Sequence, residues 1–237
     1  MNNCLFTFIV GGYDFLKTSF KRSEGWDYIC VTDTPEICKD TVWQPIQVLS
    51  SHIIKGNSKK TAMSIMMQYY KYLPKKYEVV ITLGGQLVIN LNLNKFLSKY
   101  KYTDELDLML IKHPMRYCVY QEAQAVIELN KDSEELVNKQ MDRYKKEEYP
   151  RGNKLFSSGI MVINNNSINT RKFYDIWYNE YKKSESKRDM LSLNYSLWKY
   201  EEMNPSLNIG LLYYKEMKDK KDKFGFRDID LHPHKKK

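Results

Sequence analysis

The sequence predicts an α/β fold, a single Rossmann-like domain whose mostly parallel central sheet is flanked by helices. Short β-rich runs alternate along the chain with segments whose apolar residues recur at helical spacing, which is typical of βαβ units. The 237 residues are 42% hydrophobic and 28% charged, which is the composition of a globular protein with one sizeable core. No internal repeat or long linker divides the chain.

The strands are predicted from short runs rich in β-branched, aromatic and other apolar residues. Each run is bounded by polar or turn-forming residues, and its length suits a strand better than a helix. The predicted strands are Leu5–Val10, Asp27–Val31, Val42–Leu49, Glu78–Leu83, Leu106–Ile111 and Leu155–Asn164.

The helices are predicted from apolar residues that recur at the i, i+3, i+4, i+7 spacing of one helix face. In the range 58–72 these residues are Ala62, Ile65, Met66 and Tyr69. Asp132 and Glu135 predict a capping box for a helix that runs to about residue 144. Further helices are predicted over residues 93–100, around Phe173, Ile176, Trp177 and Tyr181, and over residues 189–200.

The net charge of +9 is concentrated towards the end of the chain. Residues 215–237 contain nine basic and five acidic residues, so we expect a domain over residues 1–214 followed by a lysine-rich tail. Such a run is usually a solvated end. Its functional interpretation is contact with anionic lipid head groups at a membrane surface or with a phosphorylated substrate. No motif supports nucleic-acid binding.

Compartment is inferred from what the sequence does not contain. No run reaches the roughly 18 apolar residues of a membrane helix, and Leu5–Val10 is too short for a secretion signal. The cysteines form no C-x-x-C pair, and Cys4, Cys30 and Cys118 are expected to be buried hydrophobic residues. We therefore expect a cytoplasmic protein, and peripheral contact with a membrane through the tail is the alternative to a solvated tail.

A glycine pair directly follows the first predicted strand, in the segment Gly11-Gly12-Tyr13-Asp14. Ligands of open α/β sheets bind beyond the carboxyl ends of the strands. Glycines allow the backbone to approach a ligand closely, a tyrosine can stack on a base, and an aspartate can accept hydrogen bonds from a base or ribose. The segment is neither a dinucleotide fingerprint nor a P-loop, and a plain turn is the alternative interpretation.

Three further segments carry groups suited to ligand binding. The fourth predicted strand runs into Gly84-Gly85-Gln86, and the fifth into His113-Pro114-Met115-Arg116, which is followed by Tyr120-Gln121-Glu122-Ala123. Arg188 and Asp189 stand at a predicted helix start. This pair is either an N-cap with its ion pair or a clamp on the substrate.

Together with Cys30-Val31-Thr32-Asp33 and Trp198-Lys199, these segments, in this order, resemble a family of glycosyltransferases formerly described as a domain of unknown function. Its members are similar to nucleotide-sugar transferases of the Rossmann-like, metal-dependent type. The resemblance spans about residues 5–199. It implies transfer of a hexose or deoxyhexose from a UDP- or GDP-sugar to a hydroxyl of a glycan or glycolipid, as in polysaccharide biosynthesis.

The resemblance also implies roles for individual residues. The nucleotide would contact Gly11, Gly12, Tyr13, Asp14, Asp33 and Lys60, with Lys60 approaching the diphosphate. The substrate would contact Gly84, Gly85, Gln86, His113 and Arg116. The catalytic candidates are Asp189, Glu122 and Arg188, with Asp189 the first and Glu122 the second candidate for the general base.

One departure from the family affects the metal. Gly84-Gly85 stands where relatives usually have Asp-Gly, whose carboxylate would hold Mn or Mg against the diphosphate. The chain's Asp-x-Asp, from Asp228 to Asp230, lies in the tail and follows no predicted strand. Three explanations stay open: other groups bind the metal more weakly, basic side chains alone hold the phosphates, or the chain is an inactive relative that binds nucleotide-sugars. The metal ligands therefore stay unassigned.

Overall fold

The computed structural model describes residues 2–19, 22–212 and 229–231, in which the chain forms nine strands and six α-helices. The strands are β1 (Asn3–Ile9), β2 (Trp26–Thr32), β3 (Gln44–Gln47), β4 (Val79–Leu83), β5 (Leu87–Ile89), β6 (Leu108–Lys112), β7 (Phe156–Asn164), β8 (Ile209–Leu212) and β9 (Ile229–Leu231). The helices are α1 (Ser58–Met67), α2 (Leu93–Lys99), α3 (Val119–Glu128), α4 (Glu134–Lys146), α5 (Ile168–Ser184) and α6 (Asp189–Met203).

Seven strands form one sheet in the order β3-β2-β1-β4-β7-β6-β8. The first four are mutually parallel, and β6 and β8 are parallel to each other. Strand β7 runs antiparallel to both of its neighbours, β4 and β6. The carboxyl ends of β1, β4 and β6 therefore meet the amino end of β7 at one edge of the sheet. The predicted α/β fold with a mostly parallel sheet is confirmed.

The side chains of the central strands alternate between two hydrophobic cores, as the pleat of a strand requires. Phe6 and Phe8 of β1 belong to one core, which includes Trp177 of α5. Leu5 and Ile9 belong to the other, which includes residues of α2. Helices consequently cover both faces of the sheet.

The start of α4 differs from the prediction. The helix is capped by Ser133 without a side-chain hydrogen bond, so the predicted capping box is absent. Asp132 instead accepts hydrogen bonds from Ser186 Oγ at 2.8 Å and from the backbone N of Lys187 at 2.7 Å. Its other oxygen accepts from the backbone N of Ser133 at 2.9 Å, so the carboxylate links the start of α4 to the loop between α5 and α6.

The described part of the predicted tail is a strand. Residues 229–231 form β9, which pairs antiparallel with β5 directly after the Gly84-Gly85-Gln86 turn. Residues 213–228 and 232–237 lie outside the described residues, and with them most of the predicted basic tail and Asp228.

The four cysteines are free and buried, as expected for Cys4, Cys30 and Cys118. Within the described ranges, no helix combines the length and the apolar character that crossing a bilayer requires.

Candidate functional site

A cleft of about 90 Å³ opens at the sheet edge where β1 and β4 end and β7 begins. The first turns of α1 and α6 complete its walls, and apolar side chains of β1 and α1 form its floor. Its polar side chains are those of Tyr13, Asp14, Ser58, Lys59, Gln86, Ser158 and Asp189. This is the position at which ligands bind in open α/β sheets.

The Gly11-Gly12 turn brings β1 against the start of α1. Gly11 has a φ of +61°, and a Cβ built on it would lie only 1.9 Å from Ser58 Oγ. Only glycine adopts a positive φ readily and has no Cβ, so only glycine fits at this position. The backbone N of Gly11 donates a hydrogen bond of 2.8 Å to Asp33 Oδ2, which ties the turn to the end of β2. Gly11, Gly12 and Asp33 are exposed and do not line the cleft, but they fix the turn that precedes Tyr13 and Asp14.

Asp189, the first residue of α6, is 5% exposed and faces the cleft. Ser158 Oγ of β7 donates a short hydrogen bond to its Oδ2, and Lys59 Nζ of α1 lies 3.6 Å from its Oδ1. Burial raises the pKa of this carboxyl, but the charges of Lys59 and Arg188 and the hydrogen bond outweigh burial and lower the pKa below its usual value. The cleft therefore contains an ionised carboxylate.

Of the two neighbouring lysines, Lys59 lines the cleft and Lys60 does not. Burial lowers the pKa of the Lys60 ammonium, and the carboxylates of Asp132 and Glu185 partly offset this. Sequence reasoning missed Lys59. The signal was present, because Lys59 precedes Ala62, Met63 and Met66 by three, four and seven residues, and all of these line the cleft.

The two glycines in the turn after β4 differ in how much room there is for a side chain. The backbone N of Gly84 donates to Gly159 O at 2.9 Å, and a Cβ on Gly84 would meet that oxygen at 3.5 Å, an ordinary contact. A Cβ on Gly85 would lie 2.4 Å from the Cδ1 atom of Ile9 and 3.1 Å from Cβ of Asp14. Position 84 can therefore carry a side chain, whereas a side chain at position 85 would require Ile9 and Asp14 to shift.

A second polar cluster follows β6. The backbone N atoms of Met115 and Arg116 donate to His113 Nδ1 at 3.2 and 3.0 Å, and Arg116 Nε donates to Glu122 Oε2 at 2.6 Å. Burial, together with the charge of Arg116, lowers the pKa of His113 to about 4, so the imidazole is neutral at pH 7. The His-Pro-x-Arg motif thus ties the end of β6 to α3. None of its charged groups lines the cleft.

The Arg188-Asp189 pair does not form the predicted N-cap with its own ion pair, and its interpretation as a substrate clamp stays a prediction. Arg188 is the N-cap residue of α6 and makes no side-chain capping hydrogen bond. The ion-pair partner of Asp189 is Lys59, from another helix. The positive charge of Arg188 helps to lower the pKa of Asp189, but Arg188 does not line the cleft.

The residues of the cleft do not fit a divalent-metal site as they stand. Mg²⁺ and Mn²⁺ favour several oxygen ligands, usually with carboxylates among them. The carboxylates in the cleft lining are Asp14 and Asp189, and the ammonium of Lys59, 3.6 Å from Asp189 Oδ1, would compete with a divalent cation for the second of them. Residues 2–19, 22–212 and 229–231 contain no group of three His, Cys, Asp or Glu side chains that could hold a metal ion. Asp230 is exposed in β9.

The structure therefore brings six of the predicted site residues together in one cleft and leaves eight outside its lining. The six in the lining are Tyr13, Asp14, Gly84, Gly85, Gln86 and Asp189. The eight outside are Gly11, Gly12, Asp33, Lys60, His113, Arg116, Glu122 and Arg188.

Comparison with known proteins agrees with this architecture. Residues 39–222, more than half of the chain, match the family model described as TOD1/MUCI70, glycosyltransferase-like domain. The Gly11-Gly12 turn precedes the matched range. No curated protein sequence matches the chain.

Solved glycosyltransferases share the fold at low sequence identity. Mouse xyloside xylosyltransferase 1, in its apo form, superposes with a TM-score of 0.50 at 9% identity, over 90% of this chain and 85% of that one. Galactosyltransferase LgtC, in complex with donor and acceptor sugar analogs, gives 0.50 at 11% identity, over 90% and 73%. An active-site mutant of LgtC gives 0.51 at 10% identity, over 90% and 72%.

Proposed function

Because the chain belongs to the TOD1/MUCI70 glycosyltransferase-like family, we propose that it transfers a hexose or deoxyhexose from a nucleoside-diphosphate sugar to a hydroxyl of a glycan or glycolipid. The observation that carries the proposal is the pairing of Lys59 with an ionised Asp189 in a cleft at the carboxyl ends of β1 and β4. Sugar transfer from a diphosphate requires a cation for the leaving group and a polar group for the acceptor hydroxyl.

The donor is proposed to enter the cleft from the β1 end. Tyr13 and Asp14 line this end, where a ring and a carboxylate suit a base and a ribose. The enclosed 90 Å³ is smaller than the roughly 300–1,000 Å³ of typical small-molecule pockets. We therefore expect the cleft to enclose only the central part of a UDP- or GDP-sugar, while the rest lies along the open rim. LgtC, which shares this fold, has been solved in complex with donor and acceptor sugar analogs.

Asp189 is proposed to act on the acceptor side of the reaction. As an ionised carboxylate it would accept a hydrogen bond from the attacking hydroxyl and take up its proton. The anchoring of Asp189 by Ser158 and Lys59 supports this role, because a fixed carboxylate can position a hydroxyl in line with the sugar. Glu122 is less suited to it, since its carboxylate accepts from Arg116 outside the cleft lining.

A second candidate is a relative that binds nucleotide-sugars without transferring them. The observation that favours it is the glycine pair at residues 84 and 85, where relatives are expected to carry a metal-binding carboxylate. Such a protein would bind nucleoside diphosphates in the same cleft but would not turn over a donor.

Release of nucleoside diphosphate from a panel of UDP- and GDP-sugars separates the two candidates. An active transferase releases UDP or GDP, slowly in the presence of water alone and faster with an acceptor. Binding of a donor without release of the diphosphate, in every acceptor mixture tried, would favour the inactive relative. The Asp189→Asn variant is the control for release by contaminating enzymes.

A further inference from the structure

We propose that the ammonium group of Lys59 neutralises the donor's diphosphate in this cleft, in the role for which the resemblance implies a divalent metal ion. The inference rests on the proposed function, because it concerns how the same cleft holds its donor. The family resemblance suggests a metal-dependent transferase, but the described residues of the cleft do not supply the ligands that a divalent metal ion needs.

The turn after β4 brings no carboxylate to the cleft, and the side-chain oxygen that it does bring is the neutral amide oxygen of Gln86. Gly84 and Gly85 occupy the turn, and the backbone N of Gly84 is bound to Gly159 O at 2.9 Å. Of the two carboxylates in the lining, Asp189 is held by Ser158 and Lys59. A hard divalent cation favours several oxygen ligands, and this wall of the cleft does not present them.

Lys59 is positioned to supply the missing positive charge. It lies in the first turn of α1, on the same helix face as Ala62 and Met66, which form part of the cleft floor. Its side chain is 29% exposed, so the ammonium is partly desolvated yet open to a ligand. Lysine is an established binder of phosphate groups, and a charge-assisted hydrogen bond is stronger in a partly desolvated site than in water.

Lys59 can bind phosphate because other groups also stabilise the negative charge of Asp189. The separation of 3.6 Å between Lys59 Nζ and Asp189 Oδ1 is long for a hydrogen bond, so the ammonium retains donor capacity. Arg188 and the Ser158 hydroxyl also stabilise the ionised carboxylate. Ser58 lines the cleft beside Lys59 and carries a hydroxyl that can donate a hydrogen bond. Both residues lie at the amino-terminal end of α1, where the helix dipole is positive and attracts an anion.

The test is the affinity for UDP and GDP, measured by calorimetry in EDTA and in Mn²⁺, for the wild type and for Lys59→Gln. The wild type is expected to bind one of these nucleotides with similar affinity in both buffers. Lys59→Gln is expected to lose on the order of tenfold in diphosphate affinity, about 1.4 kcal/mol, and much less in affinity for UMP or GMP. Lys59→Arg, which keeps the charge, should retain most of the affinity.

Two controls keep the result interpretable. Lys55→Gln removes an exposed positive charge shortly before α1 and outside the cleft lining, and should leave affinity unchanged. If Lys59→Gln does not fold because Asp189 loses its partner, the pair Asp189→Asn and Lys59→Gln/Asp189→Asn replaces it. The same tenfold difference is then expected between the two.

The inference is overturned if wild-type binding requires Mn²⁺, or if Lys59→Gln binds UDP and GDP as tightly as the wild type. Either result would leave the proposed function intact, because nucleotide would still bind. If the wild type binds neither nucleotide in either buffer, the proposed function fails together with this inference.

Discussion

Asp189 is held in its ionised form by groups from different parts of the fold. Lys59 comes from α1, Ser158 from β7, and Arg188 precedes Asp189 at the start of α6. A carboxylate that is 5% exposed would be costly to bury without such partners. Three elements therefore converge on one functional group at the cleft.

Replacing Asp189 with Asn should abolish transfer while nucleotide affinity is retained or slightly increased. The change removes the proposed base, for which a loss of about 10²–10⁴-fold in kcat is typical, and it frees Lys59 to bind phosphate. Donor turnover and calorimetric titration with UDP and GDP measure the two effects separately. Unchanged turnover would remove Asp189 from the reaction. Loss of folding would show that the Lys59–Asp189 pair is structural.

Gly84→Asp should create a dependence on Mn²⁺ that the wild type lacks. Gly84 does not have a positive φ, and the nearest atoms to its added Cβ are ordinary contacts at 3.5 and 4.0 Å, so the backbone tolerates the change. A carboxylate there would add a hard oxygen ligand at the strand end, and we expect a gain of about 1–3 kcal/mol in metal-dependent nucleotide affinity. Titration with and without Mn²⁺ measures it. Strong Mn²⁺ dependence of the wild type would contradict the assignment of this turn.

His113 should make the protein less stable in mild acid. Its pKa is lowered to about 4 in the folded state, against about 6.5 in an unfolded chain. The unfolded state therefore binds the proton more tightly, and stability that is present above pH 6.5 is lost as the pH falls towards 4. The limit of this loss is about 3 kcal/mol. Urea unfolding from pH 7 to pH 4 should show a smaller loss for His113→Gln. Equal losses would show that another group is responsible.

At the scale of elements, α4 and α5 are joined by a largely buried ion pair. Arg143 of α4 donates from both terminal nitrogens to the two carboxylate oxygens of Glu180 in α5, which is 8% exposed. Tyr144 Oη also donates to Glu180 Oε1 at 2.8 Å, and the Tyr144 ring stacks on Tyr195 of α6 at 3.9 Å. These contacts join α4, α5 and α6, and α6 is the helix that begins with Asp189 of the cleft.

Arg143→Ala should therefore destabilise the fold by about 3 kcal/mol, because it leaves a buried carboxylate without its partner. Lys139→Ala is the matched control, since Lys139 of α4 pairs with Glu185 at the surface, where both side chains are more than half exposed. That change should cost less than about 1 kcal/mol. Urea unfolding of both variants measures the difference. Similar losses in the two variants would contradict a special role for the Arg143–Glu180 pair.

The elements also show which features sequence alone can predict. The meeting of Tyr13 and Gln86 follows from the rule that ligands bind beyond the carboxyl ends of parallel strands, whereas Asp189, at the start of α6, follows only from the family resemblance. That rule does not distinguish Lys59 from Lys60, but the helical spacing of Lys59 with Ala62, Met63 and Met66 does. Helix α3 was missed although Val119, Ala123 and Val126 recur at i, i+4, i+7. Strand β9 was missed because only its distant partner β5 makes it a strand.

At the scale of the whole molecule, one antiparallel strand separates two parallel sets in the sheet. Alternation of strands and helices predicted the parallel character, but periodicity carries no information on the direction of β7, which is determined by its pairing with β4 and β6. The inversion brings the amino end of β7, with Ser158, to the edge where β1 and β4 end. Ser158 thereby reaches Asp189 across the cleft.

The most direct test of the account is whether a nucleoside diphosphate stabilises the whole chain against thermal unfolding. A ligand specific for the native state at 100 times its Kd adds about 2.7 kcal/mol of stability. We expect UDP, slightly more than GDP, to raise Tm in a concentration-dependent manner, with or without Mn²⁺, and uridine or guanosine to do so far less. No shift with any nucleoside diphosphate at millimolar concentration would contradict the proposal that this cleft binds a nucleotide-sugar.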